Sequence, residues 1–152
     1  QVQHISDFSP FLEADRSWEH ATGRIAEPAA SAHSTFGWRV YNTHLLPSML
    51  PVGDGRIVYV VRAPEDVCTS QWFHFSHMAP EDGGFEGDLD AFVRAWLAGD
   101  LAFGAWAPHV LNWLDAAEKD VQILVVRYED LLADPAGKIG FIASHLGIAL
   151  PQ

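Results

Sequence analysis

The sequence is poor in cysteine and in basic residues. A single cysteine, Cys68, excludes an intrachain disulfide and a zinc site built from cysteines, as is typical of proteins in a reducing compartment such as the cytoplasm. Only 9 basic residues stand against 20 acidic ones, and the formal net charge of −11 argues against sequence-independent binding to nucleic acid. No apolar run approaches the roughly 18 residues that span a bilayer. We therefore expect a cytoplasmic protein that binds neither nucleic acid nor a membrane.

The two most apolar stretches predict the centre of a sheet. Ile57–Val61 and Val121–Val126 are continuous, β-branched runs, which are typical of parallel strands buried on both faces. Trp38–Asn42 is a shorter, alternating third candidate. Because 49% of the 152 residues are hydrophobic, the chain can form one packed core, and we predict a single domain over residues 1–152.

Stretches with helical periodicity alternate with these strands. Leu89–Leu97 carries apolar residues at helical spacing, with an N-cap at Asp88 and a glycine stop at Gly99. Further helices are predicted from Pro64 to about Ser76, from about Ala107 to Glu118, and from the Asp134 cap to the Gly147 stop. Strands that alternate with helices of this length predict the α/β class, with a parallel β-sheet flanked by helices.

Arg62 follows the first predicted strand at the edge of the sheet where α/β proteins bind ligands. The chain then turns into a helix at Pro64, and Ser70 follows on that helix. A guanidinium fork, a hydroxyl and a helix N-terminus together predict an anion site suited to a phosphate. The alternative is that Arg62 pairs with an acidic residue of its own helix and that Ser70 is an ordinary helical residue.

His44 follows the third strand candidate and is a candidate general base, because an imidazole accepts a proton near neutral pH. The alternative is a histidine that donates a hydrogen bond to a loop carbonyl. His74 and His77 lie three residues apart and, with His44, suggest the further alternative of a metal-dependent hydrolase. No carboxylate or cysteine stands at a metal-site spacing beside these histidines, so we predict no metal.

Five segments, in order, resemble the soluble sulfotransferases that use 3′-phosphoadenosine-5′-phosphosulfate (PAPS). The likeness runs from about Ser9 to Leu150. The segments are Thr43 to Pro51, Arg62 to Ser70, Phe73 to Met78, Phe103 to Val110, and Arg127 to Asp130.

The resemblance implies a P-loop-kinase-like sulfotransferase core and assigns roles to residues of these segments. Arg62 and Ser70 would bind the 3′-phosphate of PAPS or of its product, adenosine 3′,5′-bisphosphate (PAP), and Tyr128 would contact the adenine. His44 would remove the proton of the acceptor. The implied reaction is an in-line transfer of a sulfonyl group to a hydroxyl or amine of a small molecule.

Two aromatic residues resemble those that line the acceptor pocket of the family. They are Phe11, in the segment Pro10–Glu13, and Phe75. The alternative for both is packing in the core, which is the commoner fate of phenylalanine.

The sequence also departs from the family. The family's strand and loop for the 5′-phosphosulfate, and its late basic segment, are missing, so we expect an incomplete core that belongs to a longer protein. Asn42 stands where the family usually has a lysine, and losing one such charge-stabilising group typically costs roughly 10²–10³ in rate. The resemblance allows a homodimer. The second hypothesis is a non-catalytic relative that binds a phosphonucleotide or a partner chain.

Overall fold

The computed structural model describes residues 5–27, 29–50 and 53–150. Backbone contacts divide the chain into two compact units, with the boundary after Leu45.

The first unit contains short elements joined by turns. Trp18–Glu19 (β1) pairs antiparallel with Arg24–Ile25 (β2), and Ala29–Phe36 forms helix α1. Short 3₁₀ turns lie at Ile5–Asp7 and Asp15–Ser17. The first 35 residues of the sequence show no clear apolar period, which agrees with the shortness of these elements.

A buried histidine anchors the first unit. His33 on α1 is buried, and its Nε2 atom lies 2.7 Å from the carbonyl oxygen of Phe8. Its ring meets the Tyr41 ring edge to face, with the centroids 5.5 Å apart. Because the polar ring atom is hydrogen-bonded, burial of this histidine carries little desolvation cost.

The prediction of a strand over Trp38–Asn42 is wrong. In this segment only Asn42 pairs, in an isolated parallel bridge with Phe11. The Asn42 N–H donates to the Pro10 carbonyl at 2.9 Å, and the Asn42 carbonyl accepts from the Leu12 N–H at 2.9 Å. The alternating pattern did not produce a strand because its partner segment pairs over a single residue, and Trp38 is left 46% exposed.

The second unit confirms the α/β prediction, but burial of the first predicted strand on both faces is wrong, since Val60 is 46% exposed. Strands Ile57–Val61 (β3) and Ile123–Arg127 (β4) pair in parallel, with Ile57 opposite Ile123 and Val61 opposite Arg127. The helices are Pro64–Phe75 (α2), Leu89–Ala98 (α3), Trp106–Lys119 (α4), Tyr128–Ala133 (α5) and Pro135–Leu146 (α6). Short 3₁₀ turns lie at Pro47–Met49 and Pro80–Asp82.

Strand β4 begins two residues later than predicted. Asp120 accepts hydrogen bonds from the backbone N–H groups of Gln122 and Ile123, at 2.8 and 3.1 Å, which forms a turn at this point. Val121 therefore lies on the surface, 94% exposed, although it is as apolar as the strand that follows.

Capping residues set the limits of α3 and α6 as predicted. Asp88 and Asp134 each accept a hydrogen bond from a backbone N–H three residues later, at 2.8 and 3.0 Å. Gly99 and Gly147 end the two helices in the left-handed conformation, with φ of 79° and 72°.

Aromatic rings fill the interior of the second unit. Tyr59 of β3 stacks on Trp113 of α4, with the ring centroids 5.0 Å apart and the planes 11° from parallel. Burial raises the pKa of Tyr59 to about 12, so its phenol stays neutral and serves packing. Phe92 of α3 is fully buried.

Candidate functional site

Arg62 and Tyr128 meet at the carboxyl end of the parallel strand pair. Arg62 follows β3 and Tyr128 follows β4, and the register that pairs Val61 with Arg127 places the two ends side by side. The guanidinium carbon of Arg62 lies 4.6 Å from the centroid of the Tyr128 ring. Such stacking holds the planar cation in one orientation. Two residues predicted to bind the nucleotide are therefore in contact.

The guanidinium of Arg62 retains unused hydrogen-bonding capacity. Its Nε atom is buried and has no hydrogen-bond partner among the described residues. Its Nη2 atom lies 3.6 Å from Asp66 Oδ2, in a loose ion pair with a carboxylate that is 58% exposed. An unpaired buried donor costs about 1–3 kcal/mol. The Arg62 side chain as a whole is 33% exposed, so its other donors are accessible to an acceptor group such as a phosphate.

Glu129 links the two strand ends. Its Oε1 accepts a hydrogen bond from the Ala63 N–H at 2.9 Å, and its Oε2 lies 3.6 Å from Arg127 Nε. The hydrogen bonds from Ala63 and from its own backbone N–H hold the pKa of Glu129 below its ordinary value; Arg127 and Arg62 add to this, and burial opposes it. The ionised carboxylate ties the start of α2 to the start of α5, so it positions the Arg62 backbone.

Arg62 and Glu129 take part in lining a small open cleft of about 170 Å³. The lining residues are Val61, Arg62, Ala63, Pro64, Trp106, Arg127 and Glu129. Ligand pockets usually hold roughly 300–1,000 Å³, so the cleft matches a phosphate group better than a whole nucleotide. We name it the arginine cleft.

The structure does not bring Ser70 into the arginine cleft. Ser70 is exposed in α2, six residues after Pro64, which corresponds to about 9 Å along a helix axis. Among the described residues, no hydrogen bond joins it to Arg62. The contact of Arg62 with Asp66 is the one that the alternative interpretation expects. A shared phosphate-binding role of Ser70 stays a prediction.

In the first unit, three predicted site residues lie together. The rings of Phe11 and His44 are stacked, with centroids 5.2 Å apart and planes 10° from parallel. Asn42 forms the backbone bridge with Phe11 and is itself an exposed residue. The bridge explains the contact, because it holds the segment before His44 beside the segment that carries Phe11.

Glu13 contacts His44 twice. Its Oε1 accepts from the His44 backbone N–H at 2.7 Å and lies 3.1 Å from the ring atom Nδ1. Burial tends to raise the pKa of Glu13, but hydrogen bonds from the His44 backbone, from its own backbone and from the side chains of Thr43 and His44 together lower it. Glu13 is therefore a carboxylate near neutral pH.

Phe75 lies among aromatic side chains. Its ring is tilted against that of Phe92, at 6.3 Å, and lies 5.6 Å from the ring of His74. Trp72 and Phe85 contact the same Phe92 ring edge to face, at 5.4 and 5.2 Å. These contacts favour the core interpretation of Phe75, and its role in an acceptor pocket stays a prediction.

The predicted site residues did not include Glu13, Glu129 or Trp106. Glu13 and His44 are 31 residues apart, and Ala63 and Glu129 are 66 apart, so local periodicity carried no sign of either contact. A usable sign for Glu129 was its place two residues after the end of β4, because neighbouring parallel strands end at the same edge of a sheet.

The metal-dependent alternative receives no support. Over residues 5–27, 29–50 and 53–150, no group of three or more histidine, cysteine or acidic side chains is arranged to hold a metal ion. His77 Nδ1 lies 2.7 Å from the Phe73 carbonyl, within its own helical turn.

Within the same ranges, no helix combines the length and the apolar character needed to cross a bilayer.

Comparison with known proteins identifies the family. The sulfotransferase-domain family model matches residues 1–152. The chain is 30% identical to sulfotransferase 2A2 of Rattus norvegicus over 147 residues, which is 97% of this chain and 48% of the relative. It is 31% identical to sulfotransferase 1A1 of Bos taurus over 121 residues, which is 75% of this chain and 39% of the relative. The chain belongs to the sulfotransferase family.

Solved structures agree with this assignment. The crystal structure of mouse sulfotransferase SULT7A1 complexed with PAP matches with 29% identity and a TM-score of 0.67, over 81% of this chain and 46% of that one. Retinol dehydratase in complex with androsterone and the inactive cofactor PAP matches with 28% identity and a TM-score of 0.63, over 74% of this chain and 33% of that one. The fold is therefore that of a sulfotransferase core, and the chain spans about half the length, or less, of the relatives it matches.

Proposed function

We propose that the protein transfers a sulfonyl group from PAPS to a hydroxyl or amine of a small molecule. One observation carries this proposal: in a member of the sulfotransferase family, Arg62 stacks on Tyr128 at the strand ends, and its buried Nε donor has no hydrogen-bond partner in the described part of the chain. A stacked arginine with unused donors is suited to a phosphate beside a nucleotide.

The residues of the arginine cleft fit the nucleotide end of PAPS. When bound, PAPS supplies the sulfonyl group. Arg62 would pair with the 3′-phosphate, with the hydroxyl of Ser70 as a second donor, and Tyr128 would contact the adenine. The carboxylate of Glu129 would not bind the phosphate, since its Oε1 already accepts from Ala63 N–H and both groups are anions.

His44 is the proposed general base. It would accept the proton of the acceptor hydroxyl or amine as the acceptor attacks sulfur, with Phe11 and Phe75 lining the acceptor pocket. Most of the rate enhancement in such a transfer comes from positioning and from stabilising the charge of the leaving phosphate. The protein needs no covalent intermediate for this reaction.

The relatives suggest which acceptors to test first. One is a 3-alpha-hydroxysteroid sulfotransferase of Cavia porcellus, and the retinol dehydratase structures contain androsterone or retinol. We propose apolar alcohols and phenols as the first acceptor classes. The single cysteine favours the cytoplasm as the compartment, and the proposal allows a homodimer.

Binding of PAP is the first test of the proposal. A ligand that binds only the folded state stabilises it by about 2.7 kcal/mol when its concentration is about 100 times Kd. We expect PAP to raise the melting temperature of the full-length protein, and adenosine 5′-monophosphate, which lacks the 3′-phosphate, to raise it much less. Equal shifts with the two ligands would contradict a 3′-phosphate site.

Sulfonyl transfer is the second test. Radiolabelled PAPS is incubated with the protein and a panel of phenols and alcohols, and labelled product is measured. A labelled acceptor supports the proposal. Stabilisation by PAP without transfer to any acceptor would overturn it in favour of the non-catalytic phosphonucleotide-binding protein.

Lysine at position 42 should accelerate the transfer. Asn42→Lys supplies the positive charge that the family usually has there, and the residue is exposed, so the change is sterically tolerated. We expect kcat to rise about tenfold, which is less than the full value of a preorganised stabilising group. The measurement is the steady-state rate with PAPS and a phenol, and the control is Asn42→Gln, which adds length without charge. An unchanged or lower kcat in the lysine variant would contradict the assigned place of Asn42.

A further inference from the structure

The contact between Glu13 and His44 has the geometry of an orienting carboxylate. One oxygen atom, Oε1, accepts the His44 backbone N–H at 2.7 Å and lies 3.1 Å from Nδ1 of the same residue. Both contacts are at hydrogen-bonding distance. The carboxylate therefore holds the backbone and the ring of His44 at the same time.

A second group fixes the plane of the imidazole. The Phe11 ring lies parallel to it, with the centroids 5.2 Å apart and the planes 10° from parallel. A quarter-turn of the His44 ring about its Cβ–Cγ bond would break the stacking, and a half-turn, which keeps the ring plane, would move Nδ1 away from Glu13. Two independent contacts thus select one orientation of the ring.

We propose that Glu13 is a positioning residue that holds the proton of the neutral His44 imidazole on Nδ1, so that Nε2 carries the lone pair that accepts the acceptor's proton. The proposal rests on the function proposed above, since it concerns the same base.

The chemistry of the two groups supports this assignment. An ionised carboxylate accepts hydrogen bonds and donates none, so a contact at 3.1 Å between Glu13 Oε1 and Nδ1 requires a proton on Nδ1. In the neutral ring only one nitrogen carries a proton, which leaves the lone pair on Nε2. When Nε2 takes the proton from the acceptor O–H, the ring becomes an imidazolium ion, and the adjacent carboxylate stabilises that charge.

The side chain of Glu13 is partly shielded from water, which strengthens its electrostatic interaction with His44. The side chain of Glu13 is only 25% exposed, against 44% for that of His44. A charge with restricted access to water interacts more strongly with its neighbours than a fully solvated one. Glu13 lies at the surface, but its side chain is more shielded from water than that of His44.

The experiment measures the tautomer of His44 directly. The protein is labelled with ¹⁵N at histidine, and the His44 signals are assigned by their loss in His44→Asn. We expect, at a pH where the ring is neutral, that Nδ1 shows the chemical shift of a protonated nitrogen and Nε2 that of an unprotonated one. Glu13→Ala should lose the Nδ1-protonated majority.

A second variant and a matched control keep the test decisive. Glu13→Gln preserves the side-chain volume and removes the charge, so it should lower the Nδ1-protonated population even if Glu13→Ala does not fold. Glu19→Gln is the control, because this carboxylate lies in the same unit and accepts its hydrogen bond from Thr22 Oγ1 instead. It should leave the His44 signals unchanged.

The outcomes separate this inference from the proposed function. A wild-type ring protonated on Nε2, or a tautomer that is the same in the wild type and in both Glu13 variants, would overturn the role of Glu13. Sulfonyl transfer measured on the same wild-type sample tests the function independently. A protein that shows the expected tautomer but transfers no sulfonyl group would refute the function and leave the Glu13–His44 geometry in place.

Discussion

Replacing His44 with alanine should lower the rate of sulfonyl transfer by roughly 10²–10⁴-fold, the usual contribution of a positioned general base. The loss should appear in kcat, because the imidazole is required while the proton moves. The Kd of PAP should stay near its wild-type value, since His44 is not among the residues that line the arginine cleft.

This prediction is checked by steady-state kinetics together with calorimetric titration of PAP. His20→Ala is the matched control, because His20 is an exposed histidine of the same unit and should leave both quantities unchanged. A loss in kcat of less than about tenfold would show that His44 is not the general base. A weakened affinity for PAP with normal kcat would instead assign His44 to nucleotide binding.

Replacing Arg62 with alanine should weaken the binding of PAP by about a hundredfold or more. Hydrogen bonds to charged groups are worth about 1.5–3 kcal/mol each, and a guanidinium fork forms two of them with one phosphate. The variant also removes the ring contact at 4.6 Å with Tyr128, the residue proposed to contact the adenine.

A graded series tests the geometry as well as the charge. Arg62→Lys keeps a positive charge but loses the planar fork and the stacking, and we expect an intermediate affinity, about tenfold below that of the wild type. Arg94→Ala is the matched control, because Arg94 is an exposed arginine of α3 outside the cleft. Titration of PAP into each variant gives the affinities. Wild-type affinity in Arg62→Ala would refute the arginine cleft as the 3′-phosphate site.

The elements of the second unit were largely predictable from local sequence. The β-branched run Ile57–Val61 matches β3 residue for residue, and the acidic caps and glycine stops of α3 and α6 lie where the sequence placed them. These predictions succeeded because apolar periodicity, helix capping and glycine conformation depend on residues within a few positions of one another.

The first unit was much less predictable. Its elements are two or three residues long apart from α1, and the Trp38–Asn42 pattern became a single bridge to Phe11. Short elements owe their existence to contacts with distant segments, and a pattern of four or five residues does not identify its partner.

The roles of the candidate site residues divide along the same line. The sequence by itself determined that Arg62 follows a strand and precedes a helix, and that His44 stands in a segment resembling the sulfotransferases. Only the tertiary structure decided that Arg62 stacks on Tyr128, that its guanidinium lies beside Asp66, and that Glu13 contacts the imidazole of His44. The physical reason is range: backbone conformation responds to neighbouring residues, whereas a side-chain contact across 31 or 66 residues forms only when the packed chain brings its ends together.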